Sequence, residues 1–420
     1  MAGSRPKVAV FADTDSRWKW GSGVAQALQP AELALFLWDR PSRPTTRQLA
    51  EAGVDPAEVA TVTIGALPRA LAARDIDVVV VALPGTACQA VLHAFAAAEA
   101  DQRPVIVTGY VGVVYEKIVE GVLMRGGSDI VLANSPADAR NFRQIYRDYG
   151  ADPEAVVEGS LPFLTALTRV SDHPFTVTFA AQPSVPETRA ERRYVIDRLA
   201  EHARRHPERE VLLKLRTMPG ERVTHPEPYS YATMFAKRSG EWPPNFTLAG
   251  GPMADVLART DLLVTVSSTA AIESIGAGIP TAILTDFGVR EQLGTSYYAG
   301  SGCLASFADL DDGLAPVADP GWAGEHGIGA PNLEALEAKV SQLLGRRPLA
   351  QPQPFYTLRS AGAYLPRLLA RHGLTPQGRE LPASAKRDGR LARLTRSLSH
   401  SLYRKGAEIV APALRKWGSS

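Results

Sequence analysis

What most constrains this chain is an alternation of short, unbroken apolar runs with longer helical stretches. Lys7–Ala12 (KVAVFA), Glu32–Trp38 (ELALFLW), Asp77–Leu83 (DVVVVAL), Pro104–Gly109 (PVIVTG) and Asp129–Asn134 (DIVLAN) are rich in β-branched residues and continuous rather than alternating. Runs of that kind read as strands covered on both faces. Between them lie helical segments such as Thr86–Ala100, and one opening SPADAR, with Ser135 as N-cap and Pro136 at the first helical position. Strand–helix alternation implies βαβ units and parallel sheets. The pattern pauses between Gly159 and Pro174 and then restarts with FTVTFAA, a basic helix from Thr188 to His206, and the runs EVLLKLR, FTLAG, DLLVTV and TAIL. The expected fold class is therefore α/β, with two Rossmann-like doubly wound domains, residues 1–165 and 175–375, facing across a cleft. In open α/β sheets a ligand lies beyond the carboxyl ends of the strands, and a cleft between domains is a favoured place for one.

The 420 residues, 45% of them hydrophobic, are enough to bury two cores. A formal net charge of +2 excludes a whole-protein field that attracts nucleic acid. Cys88 and Cys303 stand in no CxxC or Cys/His spacing, which predicts reduced thiols in a cytoplasmic protein. No apolar stretch reaches the roughly 18 to 20 residues of a membrane span, and MAGSRPKVAVFA runs straight into a strand without a signal-peptide core. The tail, residues 384–420, places Leu391, Leu394, Leu398 and Leu402 on one helical face among many arginines. That is a basic amphipathic helix, predicted to dock on an anionic membrane surface at the inner face of the plasma membrane.

One stretch carries most of the chemistry. Residues 262–284 read LLVTVSSTAAIESIGAGIPTAIL. A buried strand ends in Ser267, Ser268 and Thr269, and a small-residue helix follows. The first N–H groups of a helix lack intrahelical acceptors, and hydroxyls at the same point add donors for a phosphate. Glu273, one turn beyond Thr269, is positioned to accept from ribose hydroxyls. Gly276 and Gly278 permit the helix end, and Pro280 stops its continuation.

Strand, SST, helix acid, GxGIP and second strand together resemble the nucleotide site in the second domain of GT-B glycosyltransferases, most closely bacterial envelope-polysaccharide members such as the capsule polysialyltransferases. The likeness of fold spans roughly residues 5–375. That resemblance implies a metal-independent, inverting enzyme of the cell envelope that needs no cofactor. It would move a sugar from a nucleotide-sugar donor to a glycan or lipid-linked acceptor. It also implies a His-Pro motif near the donor phosphates, for which His225-Pro226 is the match. Here an insertion separates His225 from the strand that ends in Lys214 and Arg216, so which of Lys214, Arg216 and His225 meets the phosphates stays open. Arg216 offers the planar fork suited to phosphate.

Inverting transfer also needs a base for the acceptor hydroxyl. The segment FADTDSRWKWGSG supplies Asp13 and Asp15 directly after the first strand, with N-capping as their alternative role. Asp13-Thr14-Asp15 matches the short DxD text of metal-using glycosyltransferases, but it falls in a different architecture. Trp18, Lys19 and Trp20 are expected in the acceptor cleft, with Gly21-Ser22-Gly23 as a turn. Tyr115 and Glu116 in TGYVGVVYEK are further acceptor candidates, Arg125, Asn134 and Ser135 wall residues, and Asp286 and Arg290 contacts to the donor sugar or base. Three alternatives share the architecture: a sugar-nucleotide 2-epimerase, a CDP-glycerol-type glycerophosphotransferase, and a non-catalytic nucleotide-binding module. The first would carry a His-Arg-Glu-Asn-type string that this sequence lacks.

Overall fold

The computed structural model describes residues 5–382 apart from 41–45, 52–53, 99–101, 113–117, 163, 165–166, 184, 216–228, 239 and 330–331. The tail 384–420, with its predicted amphipathic helix, lies outside the described residues. No described helix is long and apolar enough to cross a membrane.

The apolar runs form two parallel sheets. The first holds β1 (Lys7–Ala12), β2 (Glu32–Trp38), β3 (Val59–Val62), β4 (Val78–Ala82), β5 (Val105–Gly109), β6 (Ile130–Ala133) and β7 (Val156–Glu158), in the order β3-β2-β1-β4-β5-β6-β7. The second holds β8 (Thr176–Ala180), β9 (Glu210–Lys214), β10 (Phe246–Ala249), β11 (Leu262–Thr265), β12 (Thr281–Leu284) and β13 (Leu304–Ala305), in the order β10-β9-β8-β11-β12-β13. Every residue of β4, β5, β8, β11 and β12 is buried, as their unbroken β-branched text requires. Strand order reverses between β1 and β4 in the first lobe and between β8 and β11 in the second. Loops diverge at such switch points and leave a crevice beyond the strand ends.

Helix α1 (Asp15–Ala27) follows β1, with the Thr14 hydroxyl accepting from the Arg17 amide at 3.4 Å. Thr14, rather than Asp13 or Asp15, is thus the N-cap. The expected Gly21–Gly23 turn is helix interior instead. A Cβ on Gly21 would lie 2.7 Å from Val10 Cγ1, and one on Gly23 2.9 Å from Pro162 Cβ, so these glycines let the helix press against its neighbours. Helix α2 (Pro136–Tyr149) follows β6 with the predicted Ser135 cap. Helix α3 (Arg189–Arg205) and α4 (Tyr231–Ala236) cover the outer face of the second sheet, and α5 (Ala270–Gly276) follows β11 on the side facing the first lobe.

The second domain ends earlier than the predicted residue 375. The chain returns through α6 (Pro320–Glu325) and α7 (Glu334–Leu344), and α7 packs on β5 and β7. Arg347 then bonds Asp77 Oδ1 at 2.6 Å, Arg103 Nε donates to Ala350 O at 2.8 Å, and Leu365, Leu368, Leu369 and Leu374 join the core beneath β1 and β4. The cause is apolar: Leu67, Leu71, Val91, Leu92 and Phe95 of the crossover helices cover that face of the first sheet, and the leucines of the terminal strap pack into the same cluster.

The lobes share one apolar cluster, in which Trp20 and Leu132 of the first meet Ala271 and Ile283 of the second through Leu161, Leu164 and Ile328. Gly327 fits this seam with φ +67°, and a Cβ there would fall 2.1 Å from Asn134 O. Gly327→Ala is therefore expected to destabilise the fold by about 2 kcal/mol or more, from backbone strain and overlap together. Chemical denaturation, with the exposed Gly324→Ala as a near-neutral control, measures it.

Candidate functional site

The turn Ser267–Thr269 leaves β11 at the switch point of the second sheet. Its three hydroxyls have different fates. Ser267, 5% exposed, is held by the Gln182 side chain: its amide donates to Gln182 Oε1 at 2.9 Å, and Gln182 Nε2 donates to its hydroxyl at 3.2 Å. The Ser268 amide donates to Thr265 Oγ1 at 3.3 Å, and the Ser268 hydroxyl accepts from the Ala270 amide at 3.2 Å. Several donors expected to await a phosphate thus have partners within the protein. Thr269 is exposed and makes no capping bond. Gln182 was not singled out in the sequence. The signal was its place after β8, the strand paired with β11.

Thr269 and Glu273 face the first lobe. A Cβ on Gly112 would sit 3.1 Å from Thr269 Cγ2, and Lys19 Nζ bonds Glu273 Oε2 at 2.8 Å across the gap. The loop after β5 is fixed for this approach. Asn134 Nδ2 donates to Tyr110 O at 2.7 Å and Gly112 O at 3.1 Å, while Asn134 Oδ1 accepts from Trp20 Nε1 at 3.2 Å. The structure therefore brings together Lys19, Thr269, Glu273 and the Asn134-held loop, with Ser267 and Ser268 behind.

Other expectations are corrected. Trp18 and Trp20 are fully buried, packed between α1 and the sheet, so neither offers a ring to a sugar. Asp13, 1% exposed, takes Arg17 at 2.8 Å on one carboxylate oxygen and Arg40 on the other. Shielded and doubly paired, it anchors the end of β1 and is not placed to take a proton from an acceptor. Lys214 is buried, and its Nζ donates to Leu215 O at 2.6 Å. Asp286 accepts from Tyr194 Oη at 2.7 Å and from the Phe307 amide, a structural bracket. Tyr115, Glu116, Arg216, His225 and the Asp15 side chain lie outside the described residues.

A carboxyl not chosen from the sequence enters the seam. Asp138 stands in the first turn of α2, and burial pushes its pKa up to about 6 against the opposing hydroxyl of Ser135. Tyr297 of the second lobe lies near enough to feel its charge, and that ring packs edge-on to Trp322 and His326. The sequence signal was SPAD, read only as a cap.

Among the described residues, His202, His206 and Asp311 bring ligand-type atoms within 4.8 Å of one another, toward the amino ends of the second sheet's strands and away from the cleft. There Asp311 already binds His202 Nδ1 at 2.8 Å and Arg198 at 2.6 Å, and Arg209 reaches His202 Nε2 at 3.4 Å. Guanidinium groups fill the cation's role.

Asp138 has a stability consequence. Its folded pKa is raised, so its contribution is full below the unfolded value near 4 and fades as pH rises through about 6. Asp138→Asn should thus raise the unfolding free energy at pH 7.5 relative to wild type by about 1–2 kcal/mol, and with it the thermal midpoint, with the gain vanishing by pH 4. Thermal unfolding of both proteins across that range measures it.

No curated protein matches the sequence. Solved structures do match in fold. A "putative UDP-N-acetylglucosamine 2-epimerase from Listeria monocytogenes" superposes with TM-score 0.53 at 14% identity, covering 84% of this chain and 100% of that one. The UDP-GlcNAc 2-epimerase from Neisseria meningitidis, bound to UDP-GlcNAc, gives 0.50 at 11%, covering 81% and 98%. Arabidopsis thaliana UGT89C1, complexed with UDP-L-rhamnose, gives 0.50 at 10%, covering 82% and 100%. These likenesses establish the two-lobed GT-B architecture. A family model described as "Putative glycosyltransferase (DUF6716)" matches residues 8–343, the body of both lobes, and the chain belongs to that family.

Proposed function

We propose that this protein transfers a sugar from a nucleotide-sugar donor to a glycan acceptor of the cell envelope, without a metal and with inversion. One observation carries the reading. At the switch point of the second sheet, the exposed Thr269 and, one turn on, Glu273 face the first lobe's Gly112 loop and Lys19 across the cleft. A hydroxyl and a carboxylate four residues apart suit a donor whose phosphate lies at the turn and whose ribose reaches the carboxylate. The family's description agrees with this reading, and the Neisseria and Arabidopsis structures hold a UDP-sugar by their own titles.

Residues of the chain divide the work as follows. Thr269, with Ser267 and Ser268 shaping the turn behind it, receives the donor phosphates, and a basic group from Arg216 or His225 adds positive charge for the leaving nucleoside diphosphate. Glu273 holds the ribose. Asp15 takes the acceptor proton, with Asp138 as the described carboxyl next best placed. Tyr115 and Glu116 complete the acceptor side, and the basic tail, residues 384–420, holds the enzyme at an anionic membrane where a lipid-linked acceptor would be found.

Thermal-shift measurements with CMP, CDP, UDP and GDP test the donor site. One nucleotide should raise the melting temperature, and Glu273→Gln should cut that affinity about tenfold. Absence of any shift rejects the reading. With the nucleotide known, incubating UDP-GlcNAc alone separates transfer from epimerisation, because conversion without an acceptor identifies a 2-epimerase. Release of glycerol phosphate from CDP-glycerol identifies the third chemistry.

A further inference from the structure

On the outer face of the second lobe, a 430 Å³ groove runs between α3 and α4. That volume falls in the range of roughly 300–1,000 Å³ typical of small-molecule sites. Four of its lining residues are cations, Arg189, Arg193, Lys237 and Arg238, and no acid among the described residues lines it. The nearest carboxylates do not cancel that charge. Asp197 pairs with Arg193 at 3.5 Å and with Arg238, and Glu241 bonds Arg238 Nε at 2.8 Å. Arg189 and Lys237 have no carboxylate partner among the described residues.

The groove is also partly preorganised. Arg238 is held over the Trp242 ring at 4.4 Å, and that ring stacks on Phe235 at 5.1 Å, so its guanidinium has a platform without a ligand. Ser230 is the N-cap residue of α4, yet its hydroxyl makes no capping bond and remains available on the groove wall.

Its position matters as much as its charge. The groove begins at the first turns of α3 and α4, which follow β8 and β9, so it opens at the same end of the sheet as the cleft. One buried side chain connects the two places. Arg192 donates to Tyr229 O at 2.9 Å on the groove side and to Gln182 O at 3.4 Å on the cleft side, and Gln182 holds Ser267.

We propose that this groove binds the acidic groups of an anionic glycan, phosphate or carboxylate, so that the enzyme holds a charged acceptor or product chain outside the cleft. This deepens the transferase reading by naming the acceptor's chemistry. Fixed cations spaced along a trough, with hydroxyls between them, suit a chain with repeated anionic groups better than a single small ion.

The test is calorimetric titration of the full chain with sodium tripolyphosphate and, separately, with tetragalacturonate. At least one should bind, and which one does assigns the anion as phosphate or carboxylate. The charge reversal Arg189→Glu/Lys237→Glu should weaken that binding about tenfold or more, whereas Arg346→Glu/Arg359→Glu, the same change in charge at exposed sites elsewhere, should leave it within about twofold. Both altered pairs are solvent-exposed, so folding is preserved. Trp242 fluorescence should respond to the ligand, and the response should disappear in Trp242→Phe. Binding by neither probe, or equal weakening by the two reversals, overturns the proposal. Glu273→Gln keeps the two readings apart: it should reduce nucleotide affinity and leave oligoanion affinity unchanged. If no nucleotide binds but the groove responds as described, the transferase reading fails and the groove stands.

Discussion

A parallel sheet delivers every strand-to-helix loop to the same end, and those loops carry carbonyls with no ladder partner. In each lobe a buried arginine collects them. Arg125, 4% exposed, donates to Gly109 O at 2.9 Å, Gly121 O at 2.7 Å and Leu83 O at 3.4 Å, with its guanidinium 3.9 Å from the Tyr110 ring centroid. Arg192, 1% exposed, donates to Pro186 O at 2.8 Å, to the carbonyls of Pro183, Gln182 and Tyr229, and lies over Tyr231. Five donors in a rigid fork can span three loops at once, which a lysine ammonium cannot. Each carbonyl left without a donor would cost about 1–3 kcal/mol, and carbonyl dipoles with an aromatic face offset the burial of the charge.

What depends on these two side chains is the site itself. In the first lobe Arg125 fixes Gly109, against which Trp20 packs so closely that a Cβ there would come within 2.5 Å of its ring. Trp20 orients Asn134, and Asn134 holds the loop that reaches Thr269. In the second lobe Arg192 fixes the backbone of Gln182, whose side chain sets both the amide and the hydroxyl of Ser267. The hydroxyl turn is thus rigid before any ligand arrives, and interactions with a donor need little reorganisation.

The architecture was legible because it rests on local text. Unbroken β-branched runs gave both sheets, Ser135-Pro136 gave the start of α2, and SST before a small-residue helix pointed to the turn at the second switch point. The site was less legible because its features depend on which face of an element is buried. Trp18, Lys19 and Trp20 occupy three consecutive sides of one helix. Only packing shows that the two tryptophans turn inward while Lys19 reaches the other lobe. Asp13 looked like a base because the sequence does not reveal that Arg40, after the next strand, closes over it. Asp138 looked like a cap because the burial that raises its pKa comes from a segment more than 150 residues away. The terminal strap was assigned to the wrong lobe for the same reason, since an apolar helix does not name the surface it covers.

Contacts between the lobes are of two kinds, and the difference bears on how a ligand enters. Near the linker they are backbone-deep: Gly327 packs against Asn134 O, and the Asn332 amide donates to Ser160 Oγ at 2.6 Å while that hydroxyl donates back to Asn332 O at 3.3 Å. At the mouth the Lys19–Glu273 ion pair bridges the lobes, with side-chain exposures of 42% and 16%. A pair with that access to water contributes about 0–1 kcal/mol, less than two or three hydrogen bonds from a ribose would supply. Glu273 can therefore exchange Lys19 for a nucleotide without disturbing the Gly327 and Asn332 contacts. The exchange would leave a cation on the first-lobe side of the cleft, across from the turn where negative charge on a departing diphosphate would build.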